Sequence, residues 1–229
     1  MTPWTTSRVL TSAAAALLAC GAPATAQTTA PAGPPRSELA VATGLVGPVS
    51  YGSRNAEIIR PSGAPLVLFQ TENRLAAGVL LELHLGRQVT DRVLVEASGA
   101  WQRADFETRV SDDFEDAEAA TLTAGSSRFA VEGAVLWTLA RRGPLSVFAR
   151  GGAGWMRELA GGGAIVEDGA IGSVGAGVKY WWRDNPGGRV PRIGLRVEGR
   201  ASLRSAAITL GDRSWRVAPV VAGGVVFGF

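Results

Sequence analysis

The chain has 229 residues but one cysteine and one histidine. The cysteine, Cys20, lies in an N-terminal stretch expected to be removed. The mature protein is then expected to have no disulfide, no thiol chemistry and no cysteine metal site. A lone histidine, His84, argues against a zinc site of the usual ligand types. Long hydrophobic runs are missing as well. Beyond the N-terminal stretch no apolar run reaches the ~20 residues that a membrane-spanning helix needs. A formal net charge of +3 is too near neutral to point to nucleic acid as a partner. What the sequence has in plenty is glycine, 30 residues, together with hydrophobicity broken into short alternating segments.

The N-terminus reads as an export signal over residues 1–26. Arg8 is its only early charge, Val9 to Ala19 is apolar but too short to span a bilayer, and Ala24-Thr25-Ala26 offers small residues for cleavage. Leu17-Leu18-Ala19-Cys20 also resembles a lipoprotein cleavage box, which leaves acylation of Cys20 as an alternative. Residues 27–37 form a proline-rich flexible leader, since proline lacks the N–H that a central strand must donate. The remainder, 38–229, reads as one domain.

Eight alternating segments follow: 38–46, 74–86, 92–102, 128–140, 145–157, 170–182, 192–204 and 214–229. In the second, Leu75, Ala77, Val79, Leu81, Leu83 and Leu85 oppose Arg74, Ala76, Gly78, Leu80, Glu82 and His84. In the seventh, Ile193, Leu195, Val197, Ala201 and Leu203 oppose Gly194, Arg196, Glu198, Arg200, Ser202 and Arg204. Such period-two patterning is that of strands with one apolar face. Each segment reaches about the 9–11 residues a tilted strand needs to cross the hydrocarbon layer. Pro219 sits awkwardly in the last one. The connections alternate in length: 87–91, 141–144 and 183–191 are short, whereas 47–73, 103–127, 158–169 and 205–213 are longer loops. That is the pattern of periplasmic turns and extracellular loops, with both termini periplasmic.

Two features separate a membrane barrel from a soluble one. Aromatics gather at segment ends on the apolar face, with Trp101 and Trp155 toward the loops and Trp137, Tyr180, Trp182 and Phe229 toward the turns. Those are two belts, as expected at two membrane–water interfaces. The opposite face mixes glycine, alanine and serine with balanced charge. Glu82, Glu96, Glu132 and Glu198 are expected to pair with Arg150, Lys179, Arg196 and Arg200 inside a narrow interior.

The final strand, with Val221, Val225, Phe227 and Phe229 on one face, and the glycine-rich Phe148-Ala149-Arg150-Gly151-Gly152-Ala153-Gly154-Trp155 carry a resemblance. The chain resembles the eight-stranded outer-membrane β-barrel family that includes the OmpA transmembrane domain and OmpX- and OmpW-type proteins, over roughly 38–229. The resemblance implies an all-β, eight-stranded antiparallel transmembrane barrel in the cell outer membrane, with outer-membrane lipids and lipopolysaccharide around it. It implies that Phe227 and Phe229 form part of the signal read by the barrel-assembly machinery. No peptidoglycan-binding domain is expected after the last strand.

Chemistry is sparse. His84 faces inward near a short turn, beside Glu82, and is expected to join the interior network rather than a lipid-deacylating Ser–His–acid set. Residues 111–118, with Asp112, Asp113, Glu115, Asp116 and Glu118, lack EF-hand spacing and read as a solvated loop. Gly161-Gly162-Gly163 lacks the strand–helix context of a phosphate loop. Arginines at the turns (Arg87, Arg92, Arg141, Arg142, Arg183, Arg189) either touch lipid phosphates or solubilise the turns. The expected function is non-enzymatic, structural or surface-interacting, without cofactor or metal and with a salt-bridged interior. A narrow porin-like channel for small solutes is the first alternative and a lipid-modifying enzyme the second. No surface ligand is indicated.

Overall fold

A computed structural model describes residues 36–61, 63–111, 118–160, 165–183, 192–205 and 215–229. The expected signal peptide with Cys20, most of the leader, Asp112–Ala117, Gly161–Gly163 and Arg189 lie outside the described residues.

The described residues form ten strands: β1 Ser37–Val46, β2 Val49–Ile59, β3 Pro65–Leu75, β4 Gly78–Gln88, β5 Val93–Ser111, β6 Ala120–Arg142, β7 Leu145–Ala160, β8 Ile165–Arg183, β9 Arg192–Arg204 and β10 Arg216–Gly228. All pairings are antiparallel. Eight of the strands close a ring in the order β1-β4-β5-β6-β7-β8-β9-β10, and β10 returns to β1. Ser37 and Phe229 exchange backbone bonds at that seam (3.2 and 2.9 Å). The fold is therefore an all-β, eight-stranded antiparallel barrel. Closure pairs every strand of the ring on both sides, so no backbone edge is left for lipid. Among the described residues no helix is long and apolar enough to cross a membrane.

Side-chain burial alternates as the sequence predicts, but the barrel is inside-out relative to a soluble one. Leu81, Val131, Val174, Val197 and Val221 point outward and are about half exposed, whereas Glu82, Glu96, Glu132, Arg196 and Glu198 are buried. An apolar exterior over a charged interior is stable only where lipid replaces water outside.

Two expectations need correction. The segments 47–73 and 103–127 are not simple loops. β2 and β3 form a hairpin continuing β1 and β4, and β5 and β6 stay paired up to Val110↔Ala120. β3 then pairs with the upper part of β5. Polar residues dominate these extensions, which hid their alternation. Second, Leu75 is not on the outer face and Arg74 is not inside. Leu75 is 1% exposed, and Arg74 is exposed on the outside, where it pairs with half-buried Glu107 at 2.5 Å. The cause is one extra residue at Ala76–Ala77 between β3 and β4. Leu75 faces Phe106 while Val79 faces Arg103, so the pairing gains a residue on one side only. A bulge of this kind reverses every side chain beyond it.

Pro219 is accommodated at a ladder end. Its carbonyl accepts from Gly47 N–H at 2.7 Å, and the β1 ladder stops one rung earlier at Val46↔Val220. N–H and C=O of one residue face the same neighbour in an antiparallel pair, so the missing donor falls where β1 ends. The turn between β6 and β7 is Gly143-Pro144, with Gly143 at φ 57°, a conformation that suits glycine.

Candidate functional site: the charged lumen

A barrel of eight strands has an interior just wide enough for side chains to fill. Here the filling is layered. At the short-turn end, Leu94, Ala134, Leu136 and Phe148 form an apolar cluster. At the opposite end, Val46, Val49, Tyr51, Leu75, Leu80, Ala104, Ala218 and Val220 form another beneath the β2–β3 hairpin. Charge fills the space between.

The centre is Arg196 on β9, 2% exposed. Its Nη1 and Nη2 donate to Glu96 at 2.5 and 3.2 Å, and its Nε and Nη2 donate to Glu198 at 3.0 and 2.6 Å. Glu96 also meets His84 Nδ1 at 3.0 Å and Arg150 Nε at 3.5 Å. Arg150 pairs with Glu132 at 2.7 Å, and Ser173 bridges the two at 2.7 Å to each. Arg200 joins Glu198 to Glu82, with Nη1 3.1 Å from Glu82 Oε2. Glu82 lies 3.6 Å from His84 Nε2. Every carboxylate in this cluster is thus held by at least one cation, the condition for burying charge at all.

The strand ladder does not bring these partners together. Glu96 and Arg196 are 100 residues apart, and Glu82 and Arg200 are 118 apart, on strands that are not neighbours in the ring. Each pair is a strut across the lumen. Phe148 supports the struts from below, with its ring 5.2 Å from the Arg196 guanidinium and 5.5 Å from Lys179 Nζ, an attractive cation–π geometry. Glycine makes room for that ring. A Cβ on Gly177 would meet Phe148 Cζ and the Val197 carbonyl, each at 2.5 Å.

All eight charged residues proposed for the interior line this lumen, but with different partners for one of them. Lys179, the only lysine in the chain, binds Glu38 at the first strand rather than any of the four expected glutamates. Glu38 is the first residue of the segment 38–46, and the sequence reading followed only the apolar face of that segment. The sequence reading also missed a second charged layer near the loop end. There Arg128 donates to Glu158 at 2.6 Å, Ser126 donates to Glu158 at 2.9 Å, and Arg128 and Arg204 both reach Gln102 Oε1, at 3.3 and 3.1 Å. The period-two phase of β6, β7 and β9 was enough to find these residues, but Glu158 fell in a segment read as loop.

On the outer wall, Trp101 faces Phe129 on β6, and Trp137 lies eight residues further along the same strand. At ~3.3 Å per residue that is about 26 Å along the strand, or roughly 20 Å of height at a tilt of ~35–45°, somewhat less than the ~25 Å apolar band of outer-membrane barrels. Trp155 sits with the upper group. Tyr180, Trp182 and Phe229 are exposed with Trp137 on the same apolar face near the turns. Phe227 is half-buried on the outward face of β10. His84 is 1% exposed and its polar contacts are the two carboxylates. Among the described residues no group of three or more His, Cys, Asp or Glu side chains is placed to hold a metal ion.

A closed ring of eight antiparallel strands, apolar outside and charged inside, has the architecture of the eight-stranded outer-membrane β-barrels. No family model and no curated protein matches the sequence. Solved structures similar to it include Neisserial surface protein A, with a TM-score of 0.48 and 12% identity over 83% of this chain and 97% of that one. OprG from Pseudomonas aeruginosa gives 0.47 and 12% over 86% and 98%. The attachment invasion locus protein Ail of Yersinia pestis gives 0.40 and 13% over 84% and 99%. At this identity no residue's role is carried across, and the ring of strands rather than the likeness defines the class.

Proposed function

We propose that the protein is a non-enzymatic integral barrel of the outer membrane whose lumen is a salt-bridged plug, and that its role is structural or one of surface interaction. The observation that supports this reading is the cross-lumen strutting of Glu96, Arg196, Glu198, Arg200 and Glu82 between two apolar clusters. Charges held this way resist the hydration that a conducting path requires. In this reading both termini and the short turns face the periplasm. The β2–β3 and β5–β6 extensions face outward and offer the surface through which a partner would be met. Lipids and lipopolysaccharide surround the belts of Trp101, Trp155, Trp137, Tyr180, Trp182 and Phe229. Phe227 and Phe229, on the outward face of the strand that closes the ring, are read by the assembly machinery.

A narrow channel for small solutes is the second reading, favoured by the column of polar groups that runs from Lys179 and Glu38 up to Arg204. Planar-bilayer recording separates the two. The plug predicts little or no steady conductance from the purified protein. Robust conductance, with an ion selectivity that shifts in Arg196→Ala, would establish the channel instead. The lipid-modifying alternative finds no support in the surroundings of His84, and unaltered lipid A acyl chains in cells producing the protein are the expected result.

A further inference from the structure

Arg204 ends β9 with its side chain inside the barrel, 2% exposed. Its side-chain hydrogen bond runs from Nη2 to Gln102 Oε1 at 3.1 Å, and its Nε and Nη1 are buried without a partner. Arg128, 4% exposed, leans on the same Gln102 oxygen through Nη1 at 3.3 Å, and its Nε is also unpartnered. The carboxylate at this level, Glu158, is taken up by Arg128 Nη2 and by Ser126. Arg200 nearby is engaged by Glu82 and Glu198. Among the described residues, then, two buried guanidinium groups share one neutral amide oxygen with the neutral Tyr51 side chain beside them, and Glu158 acts on Arg204 only from a distance, with no carboxylate in ion-pair contact with it. A neutral acceptor returns far less than the burial of a full positive charge costs. Two like charges at one oxygen repel as well.

Beside these groups the lumen holds a cavity of about 30 Å³. Gln102, Arg128, Arg200, Ser202 and Arg204 line its polar side, and Leu80 closes it with apolar surface. A cavity needs roughly 10–15 Å³ to hold one water, so this one admits one or two water-sized species. Sulfate and phosphate are too large. Water fits but brings no charge, whereas one small monovalent anion supplies the missing negative charge beside both arginines. We propose that this cavity is a binding site for a single halide-sized anion, chloride under ordinary conditions, held by Arg204 and Arg128 below the β2–β3 hairpin. The ion completes the upper layer of the lumen as Glu38 completes the lower one.

Bromide is the probe. Crystals of the full barrel grown in bromide, measured at the bromine absorption edge, should show one anomalous peak within hydrogen-bond distance of Arg204. In detergent, thermal unfolding in chloride or bromide should lie roughly 3 °C above unfolding in gluconate of equal ionic strength, if the halide is about tenfold above its dissociation constant. Gln102→Glu places a fixed carboxylate at the oxygen that both arginines already touch. It should abolish both the peak and the halide dependence, and unfold in gluconate no earlier than the wild type does in chloride. Arg204→Gln, which removes the unserved charge, should abolish peak and dependence by the opposite route and serves if the first variant does not fold. An empty or water-filled cavity with equal unfolding temperatures in halide and gluconate overturns the proposal. So does a halide dependence that survives in either variant.

Discussion

Replacing Arg196 by methionine tests the strutted lumen most directly, because it keeps a side chain of comparable length and removes only the charge and its donors. Wild-type Arg196 makes four hydrogen bonds to Glu96 and Glu198, at 2.5–3.2 Å, and is 2% exposed. Removing one partner of a buried pair typically costs about 3–5 kcal/mol, because the other charge stays buried without compensation. Here each carboxylate keeps a second partner, Glu96 in Arg150 and the His84 ring and Glu198 in Arg200. The loss should therefore fall near the lower end, about 3 kcal/mol. Adding Glu96→Gln removes the negative charge that Arg196→Met leaves under-compensated. The double variant should then recover part of the loss, with a coupling energy of roughly 2 kcal/mol. Urea unfolding of the barrel in lipid vesicles, followed by tryptophan fluorescence and by heat-modifiable gel mobility, measures all four corners of the cycle. An Arg196→Met barrel within about 0.5 kcal/mol of wild type, or a cycle without coupling, would refute the strut.

The outer wall offers complementary tests. Leu81→Arg and Val197→Arg should each destabilise the folded barrel in vesicles by roughly 2–4 kcal/mol, since both side chains face the lipid; tolerance of arginine at both sites would contradict the inside-out arrangement. Gly177→Ala should lower folding yield, because the added methyl meets the Phe148 ring and the Val197 carbonyl, and Gly177→Ala with Phe148→Leu should regain yield in a refolding assay only if the ring is the obstacle. Leu75→Ala should cost about 2–5 kcal/mol as a core deletion, measured by the same urea unfolding, whereas a lipid-facing leucine would lose far less. Phe229→Ala should lower the amount of heat-modifiable protein in outer-membrane fractions, and unchanged assembly would remove the terminal aromatic from the assembly signal.

The class of fold is legible in the sequence because a transmembrane strand must alternate. Lipid admits no charged side chain on one face, and the charged side chains of a strand are forced to the other, so β9 can be read off 192–204 to the residue. The inward phase of Glu82, Glu96, Glu132, Arg150, Lys179, Arg196, Glu198 and Arg200 follows from the same rule. What alternation cannot carry is who faces whom across the barrel. Lys179 reaches Glu38 over 141 residues, and Arg204 finds an amide where a carboxylate was available to its neighbour. Those choices depend on strand stagger and on which side chains the closed ring brings to one height. Nor does a local pattern survive a bulge, and one extra residue at Ala76–Ala77 turned Leu75 from lipid to core. Past the membrane, where water meets both faces, the strand period loses its hydrophobic marker. The hairpins above the barrel became visible only when tertiary pairing, rather than lipid, dictated where each strand ends.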